Sequence, residues 1–232
     1  MRGDERQIAA SNNAEWCDLM CRSHGVATQR DQRAWSSRSR SPRLYPDAVT
    51  LVADQSVEEL LSRVDDSPGC SVKDSFASLD LRAHGFRVLF DAQWIMSGAV
   101  DHPVISRLDW EVVSDAAGLA RWEDAWRGDD GEPGLFRADL LEHESVTVLA
   151  ACTAGDLVAG AVLNVGADIV GISNFFARPD FAVGARAEGL AFARGLYPAT
   201  TFCGYESGDD LTDAVHHGFE PIGPLRVWIR GD

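Results

Sequence analysis

Thr200-Thr201-Phe202-Cys203-Gly204-Tyr205-Glu206, the run Ser207 to His217, and then Gly218-Phe219-Glu220-Pro221-Ile222-Gly223-Pro224-Leu225-Arg226-Val227-Trp228-Ile229-Arg230 form the stretch that decides the fold. The first segment reads as a strand, rich in Thr and aromatic residues. Ser207 with Asp209 and Asp210 opens a short helix, because anionic side chains favour the positive end of the helix dipole. Gly218-Phe219 predicts a tight exit, and the remainder to Arg230 predicts a pair of strands.

Upstream, Trp110 to Val113 predicts a strand. Ala116 to Trp126 predicts an amphipathic helix, with Leu119, Trp122 and Trp126 spaced three and four apart. Gly134 to Leu141 adds a short helix. Val146 to Ala151, Leu157 to Val165 and Ile169 to Phe176 are three β-branched runs, the first two joined by the turn Thr153-Ala154-Gly155-Asp156. Phe181 to Leu196 reads as a helix preceded by Pro179 and Asp180.

Strand, two helices, three strands, helix, strand, helix, two strands resembles the GNAT superfamily of acyl-CoA-dependent N-acyltransferases over residues 108–232. The resemblance implies an α+β fold with a mixed, mostly antiparallel twisted sheet flanked by helices. It also implies acetyl-CoA as co-substrate and a small-molecule or peptide amine as acceptor. In the family, a Gln/Arg-x-x-Gly-x-Gly/Ala loop after the fourth strand holds the pyrophosphate on free helix N-terminal amides. Here that offset reads Phe181-Ala182-Val183-Gly184-Ala185-Arg186, where the middle Gly matches and the outer two positions do not. The resemblance therefore makes Gly184, Ala185 and Arg186 cofactor-binding candidates, with Phe176 and Ala177 beside the pantetheine. Arg186-Ala187-Glu188-Gly189-Leu190-Ala191 satisfies the full pattern but falls five residues late, inside the expected helix.

The family's usual general acid, a Tyr on the last helix, corresponds to Ala214. Tyr205, His216 and His217 are the nearby proton donors, Glu206 is the candidate base for the amine, and Asn174 is placed to hydrogen-bond an acyl carbonyl. Glu206, with Asp209 and Asp210, equally suits a helix start, and Asn174 a satisfied strand end. Strand alternation puts Tyr205 and Glu206 on opposite faces. The missing Tyr and altered loop also fit a catalytically silent acyl-CoA sensor or interaction module.

A net charge of −15 argues against nucleic acid as partner. No apolar run approaches the roughly 20 residues of a membrane span. Met1 to Ala10 is too charged for a signal peptide, and five scattered cysteines predict reduced thiols and a cytoplasmic protein. Lys73 is the only lysine among 21 basic residues, a bias that suggests a GC-rich bacterial genome.

A helix over Asn13 to Ser23 precedes Arg22 to Arg43, which holds six Arg and one acidic residue. This segment predicts a mobile, solvated connection or, alternatively, a basic arm for a coenzyme phosphate or acidic partner. Residues 46–107 predict a small α/β extension, with a strand at 48–53, a helix at 57–64, a strand at 86–95 and a linker at 99–107. The organisation expected is thus 1–45, 46–107 and 108–232, with oligomeric state open.

His84-Gly85-Phe86 followed by Trp94-Ile95 echoes His217-Gly218-Phe219 followed by Trp228-Ile229. The echo fits either a shrunken tandem half or chance. Cys17, Cys21 and His24 share a helix face, but with no second ligand pair they predict packed thiols and no metal.

Overall fold

The computed structural model describes residues 2–97, 106–128, 131–166 and 169–231. Most of the expected 99–107 linker therefore lies outside the described residues. In chain order the elements are α1 (Arg2–Ser23), β1 (Thr28–Arg30), β2 (Ala34–Ser37), β3 (Ala48–Thr50), α2 (Val57–Leu61), β4 (Ser71–Asp74), β5 (Phe86–Ser97), β6 (Asp109–Val112), α3 (Ala116–Arg127), β7 (Val146–Thr153), β8 (Asp156–Val165), β9 (Ile169–Ala177), α4 (Ala182–Leu196), β10 (Thr201–Glu206), α5 (Gly208–His216) and β11 (Glu220–Arg230). Short 3-10 turns lie at Arg82–His84, Ala138–Glu142 and Pro179–Phe181. The architecture is α+β; β1/β2, β2/β3, β4/β11, β6/β7, β7/β8 and β8/β9 pair antiparallel, and β3/β4 and β9/β10 pair parallel.

Two compact units form, and both are discontinuous: Met1–Ile95 with Tyr205–Leu211 and Pro221–Asp232, and Met96–Gly204 with Thr212–Glu220. The last strand, expected within 108–232, thus belongs with the first unit. It does so because β11 is hydrogen-bonded along β4, with Arg226 opposite Asp74, Val227 opposite Lys73, Trp228 opposite Val72 and Ile229 opposite Ser71. Nor does the C-terminus form a pair of strands. Residues 220–230 make one strand running through Gly223 (φ 150°), so Gly223-Pro224 closes no hairpin.

In the first unit, one face of β4 and β11 packs Val72 and Trp228 with Ala34, Ala48, Leu60, Leu81 and Phe86 into a buried cluster. The first helix begins well before Asn13, at Arg2. Its buried positions Ala10, Ala14, Cys17 and Cys21 recur at three and four residues, yet Asn12 and Asn13 among them blur the apolar period. The Arg/Ser-rich segment is not a mobile connection. It supplies β1 and β2, Trp35, Ser36 and Ser37 are fully buried, and Trp35 Nε1 donates to Asp18 Oδ1 at 3.0 Å. Arg22, Arg30, Arg33 and Arg40 are ion-paired to Asp18, Glu15, Asp54 and Asp47.

In the second unit the strands run in the order β10-β9-β8-β7-β6. Ala154 (φ 51°) and Gly155 (φ 90°) give the β7–β8 hairpin the left-handed pair that matches strand twist. Asp115 caps α3 by accepting from Gly118 N at 2.7 Å, and the fully buried Trp122 donates from Nε1 to Leu149 O at 2.8 Å. Helix α4 lies close over Trp110 because Gly189 has no Cβ; one would come within 2.7 Å of that ring. The late glycine pattern at 186–191 is therefore helix interior.

Candidate functional site

The pairing of β10 with β9 stops at Cys203 opposite Gly171, whereas β9 continues to Ala177. The register described between the two strands thus covers only Ile169 to Gly171 of β9. Between Gly160 opposite Phe176 and Val162 opposite Ser173, β9 spends an extra residue, and Asn174 adopts φ 52°. This is a β-bulge, which breaks the ladder and re-aims side chains locally. Ser173 Oγ, one residue before it, is buried with no protein hydrogen-bond partner among the described residues. An orphaned buried hydroxyl beside an open edge is a ready donor for a polar ligand.

Past Ala177 the chain turns through Arg178 and the 3-10 turn, and α4 proper starts only after Val183 (φ −69°, ψ 110°) and Gly184 (φ 91°). These dihedrals make a type II turn. Nothing lies within 4 Å of a Cβ built on Gly184, so its requirement is the positive φ and not packing. No side chain caps the chain at Phe181 and no acidic residue follows in that turn; Glu188, one turn past Gly184, is engaged elsewhere, accepting from Arg107 N and Leu108 N. The amides and dipole of this helix start are thus available to an anion.

The expected coenzyme contacts divide. Phe176, Ala177, Gly184 and Ala185 frame the open edge and the turn. Arg186, only 7% exposed, is turned inward: its Nε donates to Asp213 Oδ2 at 2.7 Å and its guanidinium lies 4.4 Å from the centroid of the Phe175 ring. The exposed cation at the turn is Arg178, 5.8 Å from the Phe181 ring and 4.0 Å from Asp156. Sequence reasoning missed both Arg178 and Ser173. Arg178 precedes the loop pattern because the 3-10 turn is inserted after it, and a lone strand serine carries no signal.

Ala214, at the position of the family's tyrosine, is completely buried, and His217 Nε2 lies 3.3 Å from Asp213 Oδ1. Tyr205 and Glu206 at the end of β10 lie in the first unit. The Tyr205 ring meets Trp94 edge-on at 5.6 Å and carries Lys73 Nζ 4.2 Å from its centroid. Alternation turns Glu206 to the other face of β10.

Among the described residues no His/Cys/Asp/Glu group could hold a metal ion, and no helix is long and apolar enough to cross a membrane. Burial pushes the Cys17 thiol up to about 12 and that of Cys21 to about 11. Both are poor ligands and nucleophiles.

No protein-family model matches the sequence, and no curated protein matches it. Solved structures do. A GCN5-related N-acetyltransferase from Kribbella flavida is 15% identical, with 97% of this chain and 96% of that chain covered at a TM-score of 0.66. A functionally unknown conserved protein from Staphylococcus epidermidis (10% identity, 89% and 95% covered) gives 0.57. A GCN5-related N-acetyltransferase from Sphaerobacter thermophilus (12% identity, 88% and 83% covered) gives 0.50. The chain has the GNAT fold, and the likeness extends well beyond residues 108–232.

Proposed function

We propose that the protein transfers an acetyl group from acetyl-CoA to an amine, on a small molecule or a peptide. The observation that carries this reading is the open edge of β9 leading through the Asn174 bulge into the uncapped, Gly184-opened start of α4. Such an edge offers backbone donors and acceptors in strand geometry to the amides of a pantetheine. The helix start and Arg178 offer donors and positive charge to a pyrophosphate. Ser173 Oγ and Asn174 are the polar groups nearest an acyl carbonyl at the bulge. When bound, acetyl-CoA supplies the activated thioester.

Glu206 accepts the proton of the attacking amine, and its charge favours a cationic acceptor. The leaving thiolate takes its proton from solvent, because Tyr205 stands on the opposite face of β10 from Glu206, against Trp94 and Lys73. The five free thiols suit a cytoplasmic setting.

Coenzyme A at about 100 times its dissociation constant is expected to add about 2.7 kcal/mol, raising the melting temperature by about 5 to 10 °C. Arg178→Ala should shrink that shift and Gly184→Val should abolish it. Glu206→Gln should slow turnover at least about a hundredfold while leaving coenzyme binding nearly unchanged. One observation favours a second reading, a catalytically silent coenzyme sensor: Ala214 fills the usual acid's position with a buried methyl group. Coenzyme binding without acetylation of any amine would select it. A flat thermal response at millimolar coenzyme would remove both.

A further inference from the structure

The second open feature lies wholly in the first unit, on the face of β4 and β11 opposite the buried cluster. Ser71 and Lys73 alternate onto one face of β4, and the register sets Ile229 and Val227 directly opposite them. These four residues form the floor of a cleft of about 440 Å³ whose walls are the 40–47 loop, Leu89 and Phe90 of β5, and Tyr205. That volume is ordinary for a small-molecule site.

The floor and walls are mostly apolar. Leu44, Leu89 and Phe90 remain 73%, 46% and 38% exposed although all three line the cleft. Loop 40–47 is itself held firmly. Asp47 Oδ1 accepts from Ser41 N at 2.7 Å, and its Oδ2 accepts from Ser71 N at 2.9 Å and from Arg40 Nη1 at 2.6 Å. Cleft and loop are therefore preorganised.

At the bottom stands the chain's single lysine. Lys73 is 4% exposed, and among the described residues its ammonium has two partners, both uncharged: Asn13 Oδ1 at 2.7 Å and the Tyr205 ring at 4.2 Å. A cation removed from water without a counter-charge is costly. The nearest lining carboxylate, Asp47, is already bound to Arg40. At the rim Arg43 is exposed and forms no ion pair among the described residues. In a protein of net charge −15 this cleft concentrates positive charge behind an apolar wall.

We propose that this cleft binds a small amphipathic carboxylate. Its carboxylate meets Lys73 Nζ, which has three donor protons and, among the described residues, one hydrogen-bond acceptor. Its apolar chain lies on Val227 and Ile229 between Leu89, Phe90 and Leu44, and Arg43 screens the entrance. A monocarboxylate fits better than a phosphate ester, because Lys73 is a single point charge and the guanidinium of the lining Arg40 is already engaged by Asp47 and Ser67. The site is independent of coenzyme binding, so its failure and that of the acyl-transfer reading are separate results.

Because Lys73 is the only lysine, 15N-lysine labelling gives one amide resonance that reports on the cleft floor. Octanoate should shift that resonance saturably, and octanamide, its uncharged isostere, should bind at least about tenfold more weakly. Lys73→Met should weaken octanoate by a similar factor, read by calorimetry, with Lys73→Arg recovering part of the loss. If Lys73→Met does not fold, the octanoate–octanamide difference on the native chain decides alone. Arg43→Gln should mainly reduce the salt dependence of binding. A resonance unmoved by millimolar octanoate, or equal affinity for octanoate and octanamide, overturns the proposal.

Discussion

Residues 28–97 and 146–230 follow one connection plan at two scales. In each, three antiparallel strands lead to a fourth parallel to the third, β1-β2-β3 with β4 and β7-β8-β9 with β10. A helical turn then ends on a Gly-Phe exit into a long strand carrying Trp-Ile. The two exits have the same hydrogen bonds: Gly85 N to Arg82 O with Phe86 N to Leu81 O, and Gly218 N to Val215 O with Phe219 N to Ala214 O. Both glycines are left-handed, at φ 81° and 90°, and both phenylalanines are 4% exposed. This double bond pattern is the Schellman closure of a helix.

What differs is what lies between. The earlier region has strands of three and four residues and a five-residue α2, whose start is closed by Ser56 Oγ accepting from Glu59 N and by Glu58 and Glu59. The later region has strands of eight to ten residues and a 15-residue α4 with neither cap nor acid at its start. A shared plan therefore leaves anion chemistry undecided. The helix start decides it, because a side-chain oxygen and two carboxylates occupy in α2 the donors and the field that α4 leaves open.

The largest test of the shared plan is paired truncation. Phe86→Ala and Phe219→Ala should each cost about 3 to 5 kcal/mol in chemical denaturation. A loss below about 1 kcal/mol for either would break the equivalence of the two exits. Next, Gly85→Ala and Gly218→Ala should each cost about 1 to 2 kcal/mol, the penalty of a Cβ in the left-handed region. At Gly85 strain alone is at work, since the nearest atom to an added Cβ is Arg230 Nε at 3.8 Å. Unequal losses would show that one turn relaxes.

Smaller still, Ser56→Ala should destabilise by about 1 kcal/mol through the lost cap without creating a second coenzyme site, because α2 keeps Glu58 and Glu59 in its first turn. A second equivalent of coenzyme bound by that variant, beyond the one proposed at α4, would sink the contrast drawn between the helix starts. Finally, brief trypsin treatment should leave Arg30, Arg33 and Arg38 uncut, since strand pairing holds the backbone around them. Early cleavage there would separate β1 and β2 from the folded first unit.

Periodic, well-punctuated segments were legible. The strands at 146–153, 156–165, 169–177 and 201–206, α3, and the hairpin at 153–156 all fall close to expectation, because alternation and turn chemistry are local. β4 was not legible, since Ser71-Val72-Lys73-Asp74 carries two charges and buries Val72, Lys73 and Asp74 alike. Nor was the ordered state of the Arg/Ser-rich segment, whose arginines read as solvated until Asp18, Glu15, Asp54 and Asp47 stand beside four of them. At the candidate site, Gly184 and Asn174 were visible as residue types that tolerate positive φ. Arg186 was visible as a cation, but its inward turn depends on Asp213, 27 residues away.

By itself the sequence determined the order of elements, the Gly-Phe exits and the absence of a tyrosine at Ala214, all properties of short windows of chain. The tertiary structure alone decided that β11 lies along β4, that β10 leaves β9 after Cys203, and that the single lysine is buried against Asn13 and Tyr205. Each of these depends on partners far apart in sequence, where backbone hydrogen bonds and the desolvation of charge are settled between segments that carry no mark of one another.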